Sequence, residues 1–251
     1  MCLVAIALDT HPRYALAIAA NRDEFHARPA TPAHWWADGW LAGQDLEAGG
    51  TWFGVRRDGR YALVTNVREG ARRESGRLSR GAIVTGALSA QSLARFAAGL
   101  DRDGASYNGY NLLAGDAGGS FWQSNRHADT VSIGRGVRAL SNAQLGTPWP
   151  KTERIRAAAE AWASRGEASF DPLFDALSDR AIAPDERLPS TGIPLERERA
   201  LSAPFIVGES YGTRCSTVFA VTRDGKARFV ERSFGAGGTQ VGEVAEAFDV
   251  A

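Results

Sequence analysis

The hydrophobic and polar positions of this chain alternate in short blocks, most of which predict β-strands. Residues 2–8 and 14–20 are apolar runs separated by a polar turn. Two further pairs of runs flank Asp58-Gly59 and Asp224-Gly225. These dipeptides favour tight hairpins because both of their positions tolerate a positive φ. Glycine-containing turns also separate shorter runs at 111–114 and 120–123, and at 131–133 and 137–140.

Helical periodicity appears between the strand-like blocks. It predicts helices over residues 80–88, 91–100, 151–164 and 170–177. By contrast, residues 184–204 are polar, charged and rich in proline, which disfavours a continuous helix. We expect a long surface loop there, and long loops often act as lids.

Several strand-like blocks are apolar on both faces, as in residues 62–64 and 218–221. A sheet that is buried on both faces needs a layer above it and a layer below it. The pattern therefore favours an α+β fold in which two stacked antiparallel sheets are flanked by helices. We predict one domain over residues 1–251, since no linker or repeat interrupts the chain.

The composition of the chain excludes some classes of binding partner. Lys and Arg together number 29 and so do Asp and Glu, which gives a net charge of zero. This balance argues against a nucleic-acid-binding surface or a polybasic membrane patch. No apolar run approaches the roughly 20 residues of a membrane span, and no secretory signal is recognisable. We expect a cytoplasmic protein.

Cys2 is the residue with the most distinctive chemistry. If Met1 is removed, Cys2 carries a thiol and an α-amine whose pKa is roughly 7.7–8. A nucleophile with its own base is the chemistry of N-terminal-nucleophile hydrolases. The alternative is that Cys2 is a small apolar residue at the start of a buried strand. The four histidines show no metal-ligand spacing, so we predict no metal site.

Short polar segments adjoin the apolar strand-like runs at four places, and other short motifs lie between these segments. Read in order, they resemble the NRDE-motif family, also called the Transport and Golgi organisation 2 family, over nearly the whole chain. The strings that carry the resemblance are Asn21-Arg22-Asp23-Glu24-Phe25, Gly49-Gly50-Thr51-Trp52-Phe53-Gly54, Thr65-Asn66, Leu140-Ser141-Asn142-Ala143, Tyr211-Gly212-Thr213-Arg214 and Glu231-Arg232-Ser233.

The family in turn resembles N-terminal-nucleophile hydrolases of the choloylglycine hydrolase and penicillin V acylase type. That resemblance implies a four-layer αββα sandwich with Cys2 on the first strand. It assigns catalytic roles to Cys2 and to the residues that match its partners, with Asn66 as a further candidate amide. The matching positions are Arg22, Asp23, Asn142 and Arg214.

Each of these assigned roles has a physical reason. Asp23 would hold the Cys2 amine near the thiol, and Arg22 or Arg214 would stabilise a thiolate. Asn142 would donate its amide to an oxyanion. Because neighbours on a strand point to opposite faces, we expect Asp23, with Asn21 on the same face, to contact Cys2.

Structural roles are the alternatives at these positions. Asn66 and Asn142 could satisfy backbone groups at strand ends, and the arginines could form buried ion pairs, as Arg22–Glu24 or Arg214–Asp23.

A second group of residues is predicted to bind the ligand, and Asn21 is one of them. Trp35 and Trp36, with neighbouring His34 and Trp40, form an aromatic cluster that could line a pocket for an apolar molecule or could close one edge of the core. Thr51 fits either a ligand contact or a turn.

The resulting prediction is an N-terminal cysteine hydrolase. It would act on an amide or ester bond of a small acyl-bearing molecule and would require no cofactor. The alternative is a non-catalytic protein that binds and carries haem, acyl-coenzyme A or another lipid. A cysteine thiolate can ligate haem iron, and Arg22 or Arg214 could hold propionates or phosphates.

Overall fold

A computed structural model describes residues 2–70, 74 and 76–251. The prediction that Met1 is removed concerns a residue outside this described part. The chain folds as two compact units, residues 2–27 with 135–249, and residues 28–134 with 250–251.

The described residues form strands and helices in an order that agrees with the predicted blocks. The strands are β1 (Cys2–Leu8), β2 (Tyr14–Phe25), β3 (Ala30–Trp35), β4 (Trp40–Asp45), β5 (Phe53–Arg56), β6 (Tyr61–Asn66), β7 (Tyr110–Asp116), β8 (Gly119–Ser124), β9 (Val131–Ile133), β10 (Gly136–Leu140), β11 (Tyr211–Thr222), β12 (Lys226–Phe234) and β13 (Gln240–Asp249). The helices are α1 (Gly81–Ser89), α2 (Leu93–Asp103), α3 (Pro150–Arg165), α4 (Asp171–Leu177) and α5 (Leu195–Ala200).

The first unit is built on an antiparallel sheet in the order β10-β1-β2-β11-β12-β13. Alanines at positions 5, 7, 17 and 19 form part of the sheet face that packs against α3 and α4. Their short side chains allow α3 to come close enough for Trp162 to be fully buried. The odd-numbered residues of β1 thus face these helices, and the even-numbered ones face the other side.

The second unit is built on the sheet β3-β4-β5-β6-β7-β8-β9, which is antiparallel throughout. Helices α1 and α2 pack on it through a core that includes Val64, Ile83 and Leu112. The hairpin predicted at Asp58-Gly59 is confirmed, and Gly59 has a φ of +80°. Strands β3 and β4 were not predicted, because their residues lack a continuous apolar alternation.

The helix predicted over residues 151–164 is confirmed as α3. Pro150 occupies its first turn, where a missing N–H costs no helical hydrogen bond, and Gly166 ends it in the left-handed conformation.

The surface loop predicted over residues 184–204 is wrong in part. The segment contains a short 3₁₀ turn and α5. Glu198 of α5 is buried and accepts hydrogen bonds from the amide and the hydroxyl of Thr191, at 2.9 and 2.5 Å. A charged side chain that is paired locally lets this polar sequence fold.

Candidate active site

Strand β2 lies between β1 and β11 and brings two cysteines to one arginine. Cys2 pairs with Arg22, and Arg22 pairs with Cys215 on the other side. Residues directly opposite each other in a sheet project from the same face. Cys2, Arg22 and Cys215 therefore form a row on the face turned away from α3 and α4.

The groups around Cys2 shift the pKa of its thiol in opposite directions. Cys2 is partly exposed, and Arg22 is buried. Removal of the thiol from water raises its pKa, and the negative charge of Asp23 raises it further. The positive charge of Arg22 and a hydrogen bond from the Asp23 backbone lower the pKa. The net effect is a raised pKa, with the Arg22 charge as the feature that favours the thiolate.

Asp23 is held rigidly by its neighbours. Its carboxylate accepts a hydrogen bond from the Thr213 hydroxyl at 2.8 Å, and its carbonyl accepts one from the Tyr211 hydroxyl at 3.0 Å. The Thr213 hydroxyl in turn accepts the backbone N–H of Ile206 at 2.9 Å. These bonds fix the Asp23 carboxylate on the side of β2 opposite Arg22, so it is the Asp23 backbone that donates to the Cys2 sulfur. The predicted bond of the Asp23 carboxylate to the α-amine of Cys2 stays a prediction.

Ser141 and Asn142 follow the end of β10, and the Ser141 side chain reaches the backbone of Cys2. Both side chains are buried. The Ser141 hydroxyl lies 3.0 Å from the carbonyl oxygen of Cys2 and 3.1 Å from Oδ1 of Asn142. Since Val4 pairs with Leu140, continuing that register for two residues would set Asn142 opposite Cys2.

Arg214 occupies a β-bulge. Thr213 pairs with Asp23 and Cys215 pairs with Arg22, so Arg214 is the extra residue between them. Its guanidinium donates to the carbonyl of Phe25 at 2.8 Å, which ties it to the end of β2. Burial and the like charge of Arg22 lower the pKa of Arg214. The two arginines are therefore close enough to repel each other.

Asn21 does not lie on the side of β2 that carries the Cys2 thiol, so that expectation is wrong. It pairs with Leu3, which is part of the core beneath the helices. Its amide donates to the carbonyls of Leu177 and Pro204, at 2.8 and 3.0 Å. Arg22 occupies the Cys2 side instead, because side chains alternate along the strand.

The remaining predicted site residues belong to the second unit. Asn66 ends β6 opposite Tyr110. The Thr51 hydroxyl donates to the carbonyl of Phe53 at 3.2 Å, which agrees with a turn role. Functional roles for Asn66 and Thr51 stay predictions.

The aromatic residues of the second unit form the expected cluster. The indole of Trp36 donates to the carbonyl of Ala42 at 2.9 Å and stacks on His34. The guanidinium of Arg57 covers Trp35 at 4.1 Å from the ring centroid. These contacts support the structural alternative, and a ligand-binding role for Trp35 and Trp36 stays a prediction.

Two buried residues near Arg22 had no predicted role. Glu231 accepts the Thr217 hydroxyl at 3.2 Å. Burial and the charge of Glu231 raise the pKa of the Cys215 thiol well above its usual value. Cys215 stands two strand spacings from Cys2, about 10 Å, whereas a disulfide requires Cα atoms within about 7 Å. Both residues lie in or beside polar strings of the sequence, but only the register shows which face they share.

The described residues include no helix that is long and apolar enough to span a membrane. Among the same residues, no three or more His, Cys, Asp or Glu side chains are grouped so that they could hold a metal ion.

Comparison with known proteins settles the family. Residues 1–236 match the family described as Transport and Golgi organisation 2. The chain belongs to this family. The Transport and Golgi organization protein 2 homolog of Bos taurus is 33% identical over 262 residues, and the match covers 93% of each chain. The Homo sapiens homolog is 31% identical over 260 residues, with the same coverage. The family predicted from the ordered motifs is confirmed.

The fold of this family member is similar to that of a solved hydrolase. The C2A mutant of conjugated bile acid hydrolase from Clostridium perfringens aligns with 99% of this chain and 92% of its own, with a TM-score of 0.52 and 10% identity. The predicted α+β fold of the N-terminal-nucleophile hydrolase type, with two antiparallel sheets and flanking helices, is confirmed.

Proposed function

We propose that this protein is an N-terminal cysteine hydrolase that cleaves an amide or ester bond of a small acyl-bearing molecule. The observation that carries the proposal is the placement of Cys2. Cys2 is a partly exposed residue that begins β1 and stands opposite Arg22, and its carbonyl accepts a hydrogen bond from Ser141, which also contacts Asn142. A nucleophile, a cation and an amide are then within one small region of the first unit.

The reaction begins with a proton transfer within Cys2. Once Met1 has been removed, the α-amine, with an ordinary pKa of roughly 7.7–8, can take the thiol proton. Arg22 favours the thiolate, which offsets part of the effect of burial on the pKa of the thiol. Asp23 would hold the protonated amine in place.

The thiolate sulfur then attacks the substrate carbonyl carbon and forms a carbon–sulfur bond. The carbonyl oxygen becomes an oxyanion, to which Asn142 would donate its amide N–H. The oxyanion collapses and breaks the bond to the amine or alcohol, which leaves with the proton held by the α-amine. Water attacks the acyl-enzyme in the same manner, which releases the carboxylic acid and restores the thiol.

The fold supports this assignment. The bile acid hydrolase of similar fold was solved as a C2A mutant, so that enzyme also has a cysteine at its second position. Fold similarity at 10% identity carries no information about the substrate. The acyl character of the substrate rests on the chemistry of a cysteine nucleophile.

Intact mass and acylation test the proposal. We expect the natively expressed protein to begin at Cys2, and p-nitrophenyl acetate to add one acetyl group that peptide mapping locates on Cys2 rather than Cys215. The C2A variant should fold, as judged by circular dichroism, and should lose this acetylation and the associated turnover. A mature chain that retains Met1, or equal turnover by the C2A variant, would contradict the proposal.

The competing proposal is a non-catalytic protein that carries haem or a lipid. A titration with haem distinguishes a haem carrier from a hydrolase. A haem carrier that uses Cys2 as its ligand should show a saturable, shifted visible absorption band on addition of haem, and the C2A variant should lose it. The hydrolase proposal instead expects haem to leave the rate of acetylation unchanged at stoichiometric concentrations.

A further inference from the structure

The Ser141 hydroxyl lies between Cys2, the proposed nucleophile, and Asn142, the proposed oxyanion donor. It lies 3.0 Å from the carbonyl oxygen of Cys2 and 3.1 Å from Oδ1 of Asn142. Both partner atoms are hydrogen-bond acceptors, so the hydroxyl acts as the donor to both and shares its one proton between them. All three residues belong to the first unit.

We propose that Ser141 is a positioning residue for this site. It fixes the direction of the Asn142 amide and the backbone of Cys2 at the same time. The inference rests on the proposed hydrolase function and adds to it a residue that acts through Asn142 and Cys2.

The first part of the argument concerns the Asn142 amide. The oxygen and nitrogen ends of an asparagine amide have nearly the same shape, so hydrogen bonds decide which end points in which direction. A donor at Ser141 holds Oδ1 and thereby directs Nδ2 away from itself. If the hydroxyl is lost, the amide can turn over and present an acceptor where an oxyanion needs a donor.

The second part concerns Cys2 itself. In the mature chain Cys2 would be the first residue, so no preceding peptide bond would restrain its amine, and the peptide plane that follows gains importance in orienting it. Ser141 bonds the carbonyl of that plane just where the pairing of β1 with β10 ends at Val4 and Leu140. A side-chain bond thus continues the restraint that the sheet provides for the rest of β1.

Two reagents separate this role from a general structural one. Acetylation of Cys2 by p-nitrophenyl acetate forms a carbon–sulfur bond through an oxyanion and expels p-nitrophenolate. Alkylation by iodoacetamide forms a carbon–sulfur bond by direct displacement of iodide, with no oxyanion. A residue that positions the oxyanion donor therefore affects the first reaction selectively, whereas a general disturbance of the thiol affects both.

The matched control is Ser216. Its buried hydroxyl also donates to the Oδ1 of an asparagine, Asn21, at 2.5 Å, but on the face of the sheet that meets the helices. Ser216→Ala removes the same atom from the same kind of bond. It should change neither reaction, provided that the protein folds.

We expect Ser141→Ala to slow acetylation of Cys2 by roughly tenfold or more. Alkylation should slow much less, by the share that the loosened Cys2 backbone contributes, and Ser141→Thr, which keeps the hydroxyl, should restore most of the acetylation rate. Equal acetylation rates in wild type and Ser141→Ala, or a parallel loss of both reactions in a folded variant, would overturn the inference. If even the wild type is not acetylated on Cys2, the proposed function itself fails and the positioning role fails with it.

Discussion

At the scale of single residues, the chemistry of the site depends on Arg22. It is buried, it stands directly between Cys2 and Cys215, and its charge favours the thiolate of both. The sequence identified Arg22 as a site residue, but periodicity alone led to Asp23 and Asn21 as the neighbours of Cys2. Which side chains meet depends on pairing between strands, and one sequence does not contain that register.

Arg22→Gln should raise the pKa of the Cys2 thiol, because the variant removes a positive charge that favours the thiolate. Alkylation of Cys2 by iodoacetamide at neutral pH should become about tenfold slower if the pKa rises by one unit. The measurement is the alkylation rate from pH 6 to pH 10. Arg165→Gln, which changes an exposed arginine, should leave the profile in place; an unshifted profile in Arg22→Gln would contradict the role of Arg22.

At the scale of elements, a tight backbone contact accounts for one glycine of a family motif. Gly50 belongs to the Gly49-Gly50-Thr51-Trp52 string and packs against the first residue of α1. A Cβ added at Gly50 would lie 2.7 Å from the carbonyl carbon of Gly81. Part of the family motif thus preserves a close approach between a loop and a helix.

Gly50→Ala should lower the free energy of unfolding by about 1–3 kcal/mol, because two backbone segments must move apart. Urea unfolding monitored by tryptophan fluorescence would measure the change. The control is Gly134→Ala, since a Cβ added at Gly134 meets no other atom within 4 Å. Equal midpoints for the two variants would show that the contact at Gly50 is unimportant.

The elements that were predicted correctly are those with strong local signals. Asp58-Gly59 and Asp224-Gly225 both form hairpin turns, and Gly225 has a φ of +81°. Strand β13 was missed because most of its residues are exposed, so it lacks an apolar stripe. Helix α5 was missed because the buried Glu198 contributes no hydrophobic periodicity.

At the scale of the whole molecule, stability should depend on pH through His11. Its side chain is buried, with Nδ1 accepting the amide of Tyr14 at 3.2 Å and Nε2 donating to the carbonyl of Glu167 at 3.0 Å. This arrangement requires the neutral ring, and burial lowers the pKa of His11. It connects the turn after β1 to the segment between α3 and α4.

The sign of the pH effect follows from the lowered pKa. Below pH 6.5, the approximate pKa of His11 in the unfolded chain, the unfolded chain binds a proton at His11 that the folded chain does not bind. The contribution of neutral His11 to the free energy of unfolding is therefore fully present above pH 6.5. It falls as the pH drops, by at most about 1.4 kcal/mol per pH unit. Thermal unfolding at pH 7.5 and pH 5.5 should show a smaller loss in His11→Asn than in wild type, with exposed His34→Asn as the control. Equal losses in His11→Asn and wild type would contradict this role.

The bulge at Arg214 makes strand β11 sensitive to length as well as to composition. Thr213 and Cys215 are two positions apart, yet they pair with adjacent residues of β2 that point to opposite sides. Deleting Arg214 would leave Thr213 and Cys215 adjacent, in the alternation that Asp23 and Arg22 already follow, so both flanks of the strand would keep their sides and only the local bend would be lost. A one-codon deletion in the regular part of the ladder, at Val218 for example, would instead reverse the side chains of one flank and should be far more damaging, so the position of a length change along β11 matters more than its size.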